Sequence, residues 1–402
     1  MSINDAPVPA AMRGSITSAS YQTSLEGADR VELTLANEGL RWLDHPLFTL
    51  DNRLTLFLGY APDPLDQVFV GQIVGQEANF PSGGMPTLTV TAQDRRHQLQ
   101  SSNRVRWFAI PIATVGDFPI PDLAISSLVA AENSFIPVFD PIGAALSVLL
   151  AGADVLVILG DPNSAQKLIR QQSGESDFDF LMRIARENGW EMLVDHTPPN
   201  GGYKLHFLSP EDNLSADVTL EYGQSLIEFR PRISTVGQIA GVAVTIWQPD
   251  TKMDFTITAS WDWDRQSLDL SISPGFGLSG GEGDVTAAPA NSSSTTLPTL
   301  NLVNEPANMA TAPRLILSKL IPQLNRRLTA SGATIGDTRI RAGAVLQIES
   351  VGQTLGGRYR VTSATHSLDS GGYRTSFEVR KEIWFGSIPL NEQGANLINV
   401  QV

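Results

Sequence analysis

The stretch from Gly336 to Glu382, GDTRIRAGAVLQIESVGQTLGGRYRVTSATHSLDSGGYRTSFEVRKE, constrains the fold of this chain more than any other. Its three runs alternate with period two, so Tyr373, Thr375, Phe377 and Val379 share one face while Arg374, Ser376, Glu378 and Arg380 share the other. That pattern specifies an antiparallel meander with one wet face. Asp369-Ser370-Gly371-Gly372 supplies residues that tolerate positive φ, and this turn fixes the hairpin register. A slip by one residue would turn Phe377 out to water.

Similar half-buried runs occur near the start. Val31, Leu33 and Leu35 alternate with Glu32 and Thr34, and further runs follow at Leu54 to Tyr60, Val68 to Val74 and Leu88 to Ala92. Phe69 to Phe80 leads through Ser82-Gly83-Gly84 into TLTVTA, as Tyr359 to Leu368 leads through Ser370-Gly371-Gly372 into the last run. The parallel suggests the same β unit twice.

The region between the two is mixed. AQKLIRQQ, begun by Ser164 and stopped by Gly174, is expected to be a short helix. Ser176-Asp177-Phe178-Asp179 reads as the capped start of a second helix, with Phe178, Leu181, Met182 and Ala185 on one face and Gly189 at the C′ position. WEMLVD and YKLHFL follow as a hairpin. Strands are expected at Leu226 to Ile233, Val242 to Trp247 and Phe255 to Trp263, and a helix at Arg314 to Leu328 interrupted by Pro322.

The expected class is therefore mainly β with minor α (α+β), with two related β-barrel domains and a mixed α/β middle region. The divisions are 1–103, a first β-barrel; 104–160, an apolar insertion; 161–220, mixed α/β; and 221–278, strands contributing to the second barrel. A low-complexity linker at 279–313 leads to 314–402, the helix and meander that complete the second barrel.

Composition removes several functions. With 402 residues and 42% hydrophobic character the chain can bury several cores. It has no cysteine, hence no disulfide, thiolate metal site or cysteine nucleophile. MSINDAPVPAAMRGS lacks the basic and apolar segments of a secretory signal, so assembly in the cytoplasm is expected. A net charge of −14 opposes nucleic-acid backbones and argues against sequence-specific nucleic-acid binding, while allowing an acidic lining to a passage.

Three segments, 175 to 195, 221 to 252 and 340 to 381, together resemble the late control gene D family, the hub proteins of contractile phage tails. These are similar to the hub portion of type VI secretion spike proteins and to hubs of extracellular contractile injection systems. The resemblance implies a homotrimer whose subunits each give two related barrels, a trimeric ring joining a sixfold inner tube protein to a threefold spike. Baseplate wedge proteins would be further partners, and a virion tail or injection particle the location. The chain ends at Val402 with no oligonucleotide-binding-type barrel or β-helix after the second barrel, so a separate spike protein is expected. Residues 104 to 160 are longer and more apolar than the family suggests.

Candidate chemistry is sparse. Gly275-Phe276-Gly277-Leu278-Ser279-Gly280 fits GxGxxG, yet no helix follows to receive a phosphate. Trp261-Asp262-Trp263-Asp264 sets two carboxylates on one strand face and two indoles on the other, which reads as a half-wet strand. His45, His97, His196, His206 and His366 show no metal-ligand spacing, and His366 reads as structural. Glu187 and Glu191 straddle Gly189 without the rigid cleft that a cell-wall hydrolase needs. Ile142 to Leu159 is apolar for 18 residues apart from Asp154, near the lower limit of a membrane span. A core or subunit-interface helix is the expected use, membrane contact the rival. No catalytic, cofactor or metal residues are assigned, and no enzyme activity is expected.

Overall fold

The computed structural model describes residues 1–101, 103–112, 116–141, 143–145, 147, 148, 152, 168–210, 213–233, 241–248, 253–262, 267–275, 299–302, 312–352, 355–383 and 398–400. The protein is mainly β, with few helices among the described residues. Its centre is a 13-stranded sheet. Ile16–Ser24, Arg30–Ala36, Arg53–Leu58, Asp66–Asn79 and Thr87–Gln93 make one half, and Leu226–Ile233, Leu328–Ile335, Val345–Glu349, Gly357–Asp369 and Gly372–Arg380 the other.

Within each half the spatial order is first, second, fifth, fourth, third strand, all antiparallel. The irregularities agree as well. The first strand bulges between Ile16 and Ser18 in one half and between Leu226 and Glu228 in the other. The fourth strand bulges between Ile73 and Gly75 and between Val361 and Ser363. Bulges add one residue to one strand and re-aim its side chains, so matching positions mark two copies of one unit. The first and second strands are joined by residues 25–29 in the first unit and by the long segment 234–327 in the second, and the connection after the fourth strand differs as well. It is the tight turn at Ser370 and Gly371 in the second unit and the longer segment 80–86, holding Ser82-Gly83-Gly84, in the first.

Neither half closes into a barrel among the described residues, contrary to the two closed barrels expected. Ile16–Ser24 instead pairs with Gly357–Asp369 of the second unit, from Ala19 opposite Leu368 to Ser24 opposite Ser363. The strand edge that barrel closure would use is thus taken by the sister unit, and one sheet runs through both. The halves keep separate cores, with Leu33, Leu35, Phe48, Leu54 and Phe69 in the first and Leu346, Ile348, Tyr359, Phe377 and Val379 in the second.

A third core lies in the middle region, around Phe180, Leu181, Ile184, Trp190, Met192 and Phe207. Ser176 accepts a hydrogen bond from the Asp179 backbone N–H at 3.0 Å and caps the helix Asp177–Glu187, which ends at Gly189 with φ +70 as its sequence requires. Glu191–Asp195 and Lys204–Leu208 form the expected hairpin, and Ile136–Phe139 adds to it in parallel.

Several expectations change. The helix expected from Ser164 is instead, over its described C-terminal part, the strand Arg170–Ser176, paired with Asn103–Ile112. Gly174 serves a bulge at φ +80 rather than a helix end. Strand alternation prevails because Gln172 is buried between exposed neighbours. Of the strands in 221–278, Leu226–Ile233 alone joins the central sheet. Gly241–Gln248, Met253–Asp262 and Ser267–Gly275 belong to a separate 5-stranded sheet, where Val242, Val244, Ile257 and Ala259 are buried. The helix Ala312–Leu324 packs on that sheet and ends before Leu328, which starts a strand. Within 279–313, Thr299–Leu302 is a strand parallel to Gly241–Gln248. The rest of that segment up to 311, and most of 142–159 including Asp154, lie outside the described residues. No described helix is long and apolar enough to cross a membrane.

Candidate functional site

Two buried polar junctions and one seam hold the parts of the chain together. The first junction begins where the fifth strand of the first unit ends. Asp94 Oδ1 accepts from the Arg96 backbone N–H at 2.7 Å, and its Oδ2 accepts from Arg96 Nε at 2.9 Å and from the Asp29 backbone N–H at 2.8 Å. Arg96 Nη2 donates to Asp29 Oδ1 at 2.6 Å, and Nη1 donates to the Met192 carbonyl at 3.3 Å. The guanidinium thereby ties the first unit to the middle region. All three side chains are buried.

His196 completes the group. Its Nδ1 accepts from the Val70 backbone N–H at 3.1 Å, so Nε2 carries the proton and donates to Asp29 Oδ2 at 3.0 Å. Burial works against the Asp29 charge, but Arg96 and the His196 bond prevail and hold its carboxyl below the ordinary range. Burial also opposes the Arg96 charge, and Asp94 and Asp29 more than offset it. Asp29, Asp94 and His196 have the donor atoms and proximity of a metal site. The chemistry disfavours one: the guanidinium already fills the space between the two carboxylates, and the His196 lone pair is taken by Val70.

The second junction ties the middle region to the second unit. Arg360 Nε donates to Glu382 Oε2 at 2.9 Å, and its Nη2 donates to the carbonyls of Pro210 and Asn213 at 2.6 and 3.0 Å. Arg380 bridges Glu382, at 2.7 Å, and Glu191. Burial and the nearby Glu382 push the Glu191 carboxyl above its ordinary value despite Arg380.

The seam between the two units centres on His366. Its ring stacks on Tyr21 with centroids 5.4 Å apart, Nε2 donates to the Ile340 carbonyl at 2.9 Å, and the single lone pair of Nδ1 faces the Tyr373 and Thr375 hydroxyls at 2.9 and 3.0 Å. Burial lowers its pKa to about 4, so it is neutral at neutral pH. The opposite sheet face is wet and concave. A cavity of about 400 Å³ there is lined by residues including Gln22, Glu228, Arg230, Ser331, Thr365 and Glu378, hydroxyls with mixed charges rather than a run of carboxylates.

The other singled-out residues are structural or fall elsewhere. Glu187 bonds Arg170 and Glu191 bonds Arg380, so each acid meets its own cation instead of forming an opposed pair. His45 accepts from the Leu47 backbone N–H, and His97 meets the Asp94 carbonyl. His206 packs near Asp195, and burial lowers its pKa. The side chains of the Trp261 to Asp264 group and the residues of the GxGxxG match after Gly275 lie outside the described residues. Sequence reasoning missed Asp29, Asp94 and Arg96. Their one signal is the cluster Asp94-Arg95-Arg96-His97 directly after an apolar strand.

No curated protein matches the chain in sequence. The family described as the Alg8 N-terminal domain matches residues 161–274, well under half of the chain. That stretch takes in pieces of all four sheets and no complete one. Solved structures agree over nearly the whole chain. A 43 kDa tail protein of prophage MuSo2 from Shewanella oneidensis superposes with TM-score 0.59 at 12% identity, covering 92% of this chain and 95% of its own. A tail protein from Neisseria meningitidis MC58 gives 0.57 at 11% identity, covering 93% and 94%. The Escherichia coli c3393 protein, described as a type VI secretion component structurally similar to T4 bacteriophage tail proteins gp27 and gp5, gives 0.55 at 11% identity, covering 97% and 79%. The chain has the fold of these phage-tail and type VI secretion proteins, in line with the resemblance carried by its sequence.

Proposed function

We propose that the protein is a structural hub of a contractile phage tail or a related injection machine. In this reading it is a homotrimer that joins a sixfold inner tube to a threefold spike made by a separate protein, with baseplate wedge proteins around it, and it is assembled in the cytoplasm. The observation that carries the reading is the internal duplication. Two units with one connectivity and matching bulges lie side by side in a single continuous sheet, so three chains present six equivalent units. A threefold assembly can then meet a sixfold ring without a mismatch in symmetry.

The buried junctions suit this role. They fasten both units to the middle region through hydrogen-bonded charges, as a part that transmits load requires. No bond chemistry is assigned to any of these groups. The fold of the tail proteins described above supports the same reading. Native mass spectrometry of the purified chain, alone and with its tube partner, is the test. Trimers or multiples of three are expected; a stable dimer or tetramer would overturn the adaptor reading.

A further inference from the structure

We propose that neighbouring copies are joined by pairing Leu226–Ile233 of one subunit with residues 76–80 of the next, in the register that the chain already uses once internally. The proposal rests on the trimeric reading and adds the surface that builds it. Inside the chain, the first strand of the first unit pairs with the fourth strand of the second, with Gln22 opposite Thr365 and Tyr21 opposite His366. The duplication provides the same two edges a second time.

The ladders within each unit give the equivalences. Gln22 lies opposite Arg30, and Arg232 lies opposite Thr329, the matching position of the second strand. The residue after the fourth-strand bulge is Gly75 in one unit and Ser363 in the other, so Glu77 matches Thr365. Carrying the internal seam over places Phe229 opposite Phe80, Arg230 opposite Asn79, Pro231 opposite Ala78, Arg232 opposite Glu77 and Ile233 opposite Gln76. Each pair puts its side chains on one face of the sheet.

Both edges are open among the described residues. Leu226–Ile233 ends the central sheet with Leu328–Ile335 as its neighbour. Asp66–Asn79 is paired with Arg53–Leu58 as far as Gln72, and Ile73 still exchanges backbone bonds with Asp51 and Asn52; beyond Ile73 the strand pairs with Thr87–Gln93 on one side alone. Their chemistry is complementary. On the face where the internal seam buries Tyr21 and His366, the edges carry Ile233 and Phe80, 49% and 58% exposed. On the wet face, exposed Arg232 meets exposed Glu77. Pro231 has no N–H to give, which weakens the seam by one bond and also discourages foreign strands from adding to this edge. Because the two edges differ, the contact is head-to-tail, and in the trimeric reading three such contacts close a ring.

The chain contains no cysteine, so an introduced pair reports on one contact without background. Full-length protein carrying Asn79→Cys with Arg230→Cys, treated with mild oxidant, should run as a trimer on a non-reducing gel and revert with reductant. The register-shifted pair Asn79→Cys with Arg232→Cys should cross-link markedly less. Arg232→Glu should raise the concentration at the monomer–trimer midpoint by about tenfold, and adding Glu77→Arg should restore it. Trimers by native mass without the 79–230 cross-link would overturn this seam while leaving the trimeric reading standing. Monomers at every concentration would overturn both, and cross-linked ladders beyond trimer would overturn ring closure.

Discussion

Removing the Arg96 guanidinium should cost more stability than any other single truncation in the first unit. Arg96→Ala leaves the carboxylates of Asp29 and Asp94 buried and facing each other, without the cation that now lies 2.6 and 2.8 Å from them. Breaking a buried pair by deleting one partner costs about 3–5 kcal/mol, since the remaining charge is uncompensated. The lost bond to the Met192 carbonyl also loosens the hold on the middle region. Near neutral pH, urea unfolding followed by tryptophan fluorescence should show a loss of that size. The loss should shrink toward pH 5, because without Arg96 the two carboxyls take up protons readily. Arg96→Lys keeps the charge but not the planar fork, and should fall between. A loss below about 1 kcal/mol for Arg96→Ala, or one that grows on acidification, would refute the junction as described.

His366 makes stability depend on pH in a defined window. Its folded pKa is about 4 and its ordinary value 6.5, so between these pH values the unfolded chain holds a proton that the folded one lacks. The contribution is fully present above pH 6.5 and is lost as pH falls toward 4, about 3 kcal/mol in all; thermal melts of the wild type and His366→Gln should differ in slope across that window. Ser176→Ala removes the cap of the helix Asp177–Glu187 and should cost about 1 kcal/mol, read as faster amide exchange in the first turn of that helix.

The elements legible in the sequence are those whose signal is local. The meander after Gly336, the capped helix from Ser176 and the hairpin after Gly189 follow from two-residue alternation, a side-chain cap and a positive-φ glycine, each acting within a few residues. Duplication was visible through the two related hairpins, although Ser-Gly-Gly itself sits in connections of different length. Arg170 to Gln172, the end of the helix that the sequence leads one to expect, belong to a strand, because apolar spacing is ambiguous over so few residues and the partner strand lies more than sixty residues earlier.

Pairing between distant segments was decided by the tertiary structure alone. Alternation gives a strand its two faces but does not name its neighbour, so nothing in ITSASYQTS predicts that its free edge goes to the second unit rather than closing a barrel on its own. The same holds for the buried charges. Asp29, Asp94, Arg96 and His196 look in sequence like ordinary surface residues, and only folding brings groups from positions 29 and 196 within 3.0 Å. A charge is stable in such a place only when its partners arrive with it, and those partners belong to the fold, not to the neighbouring sequence.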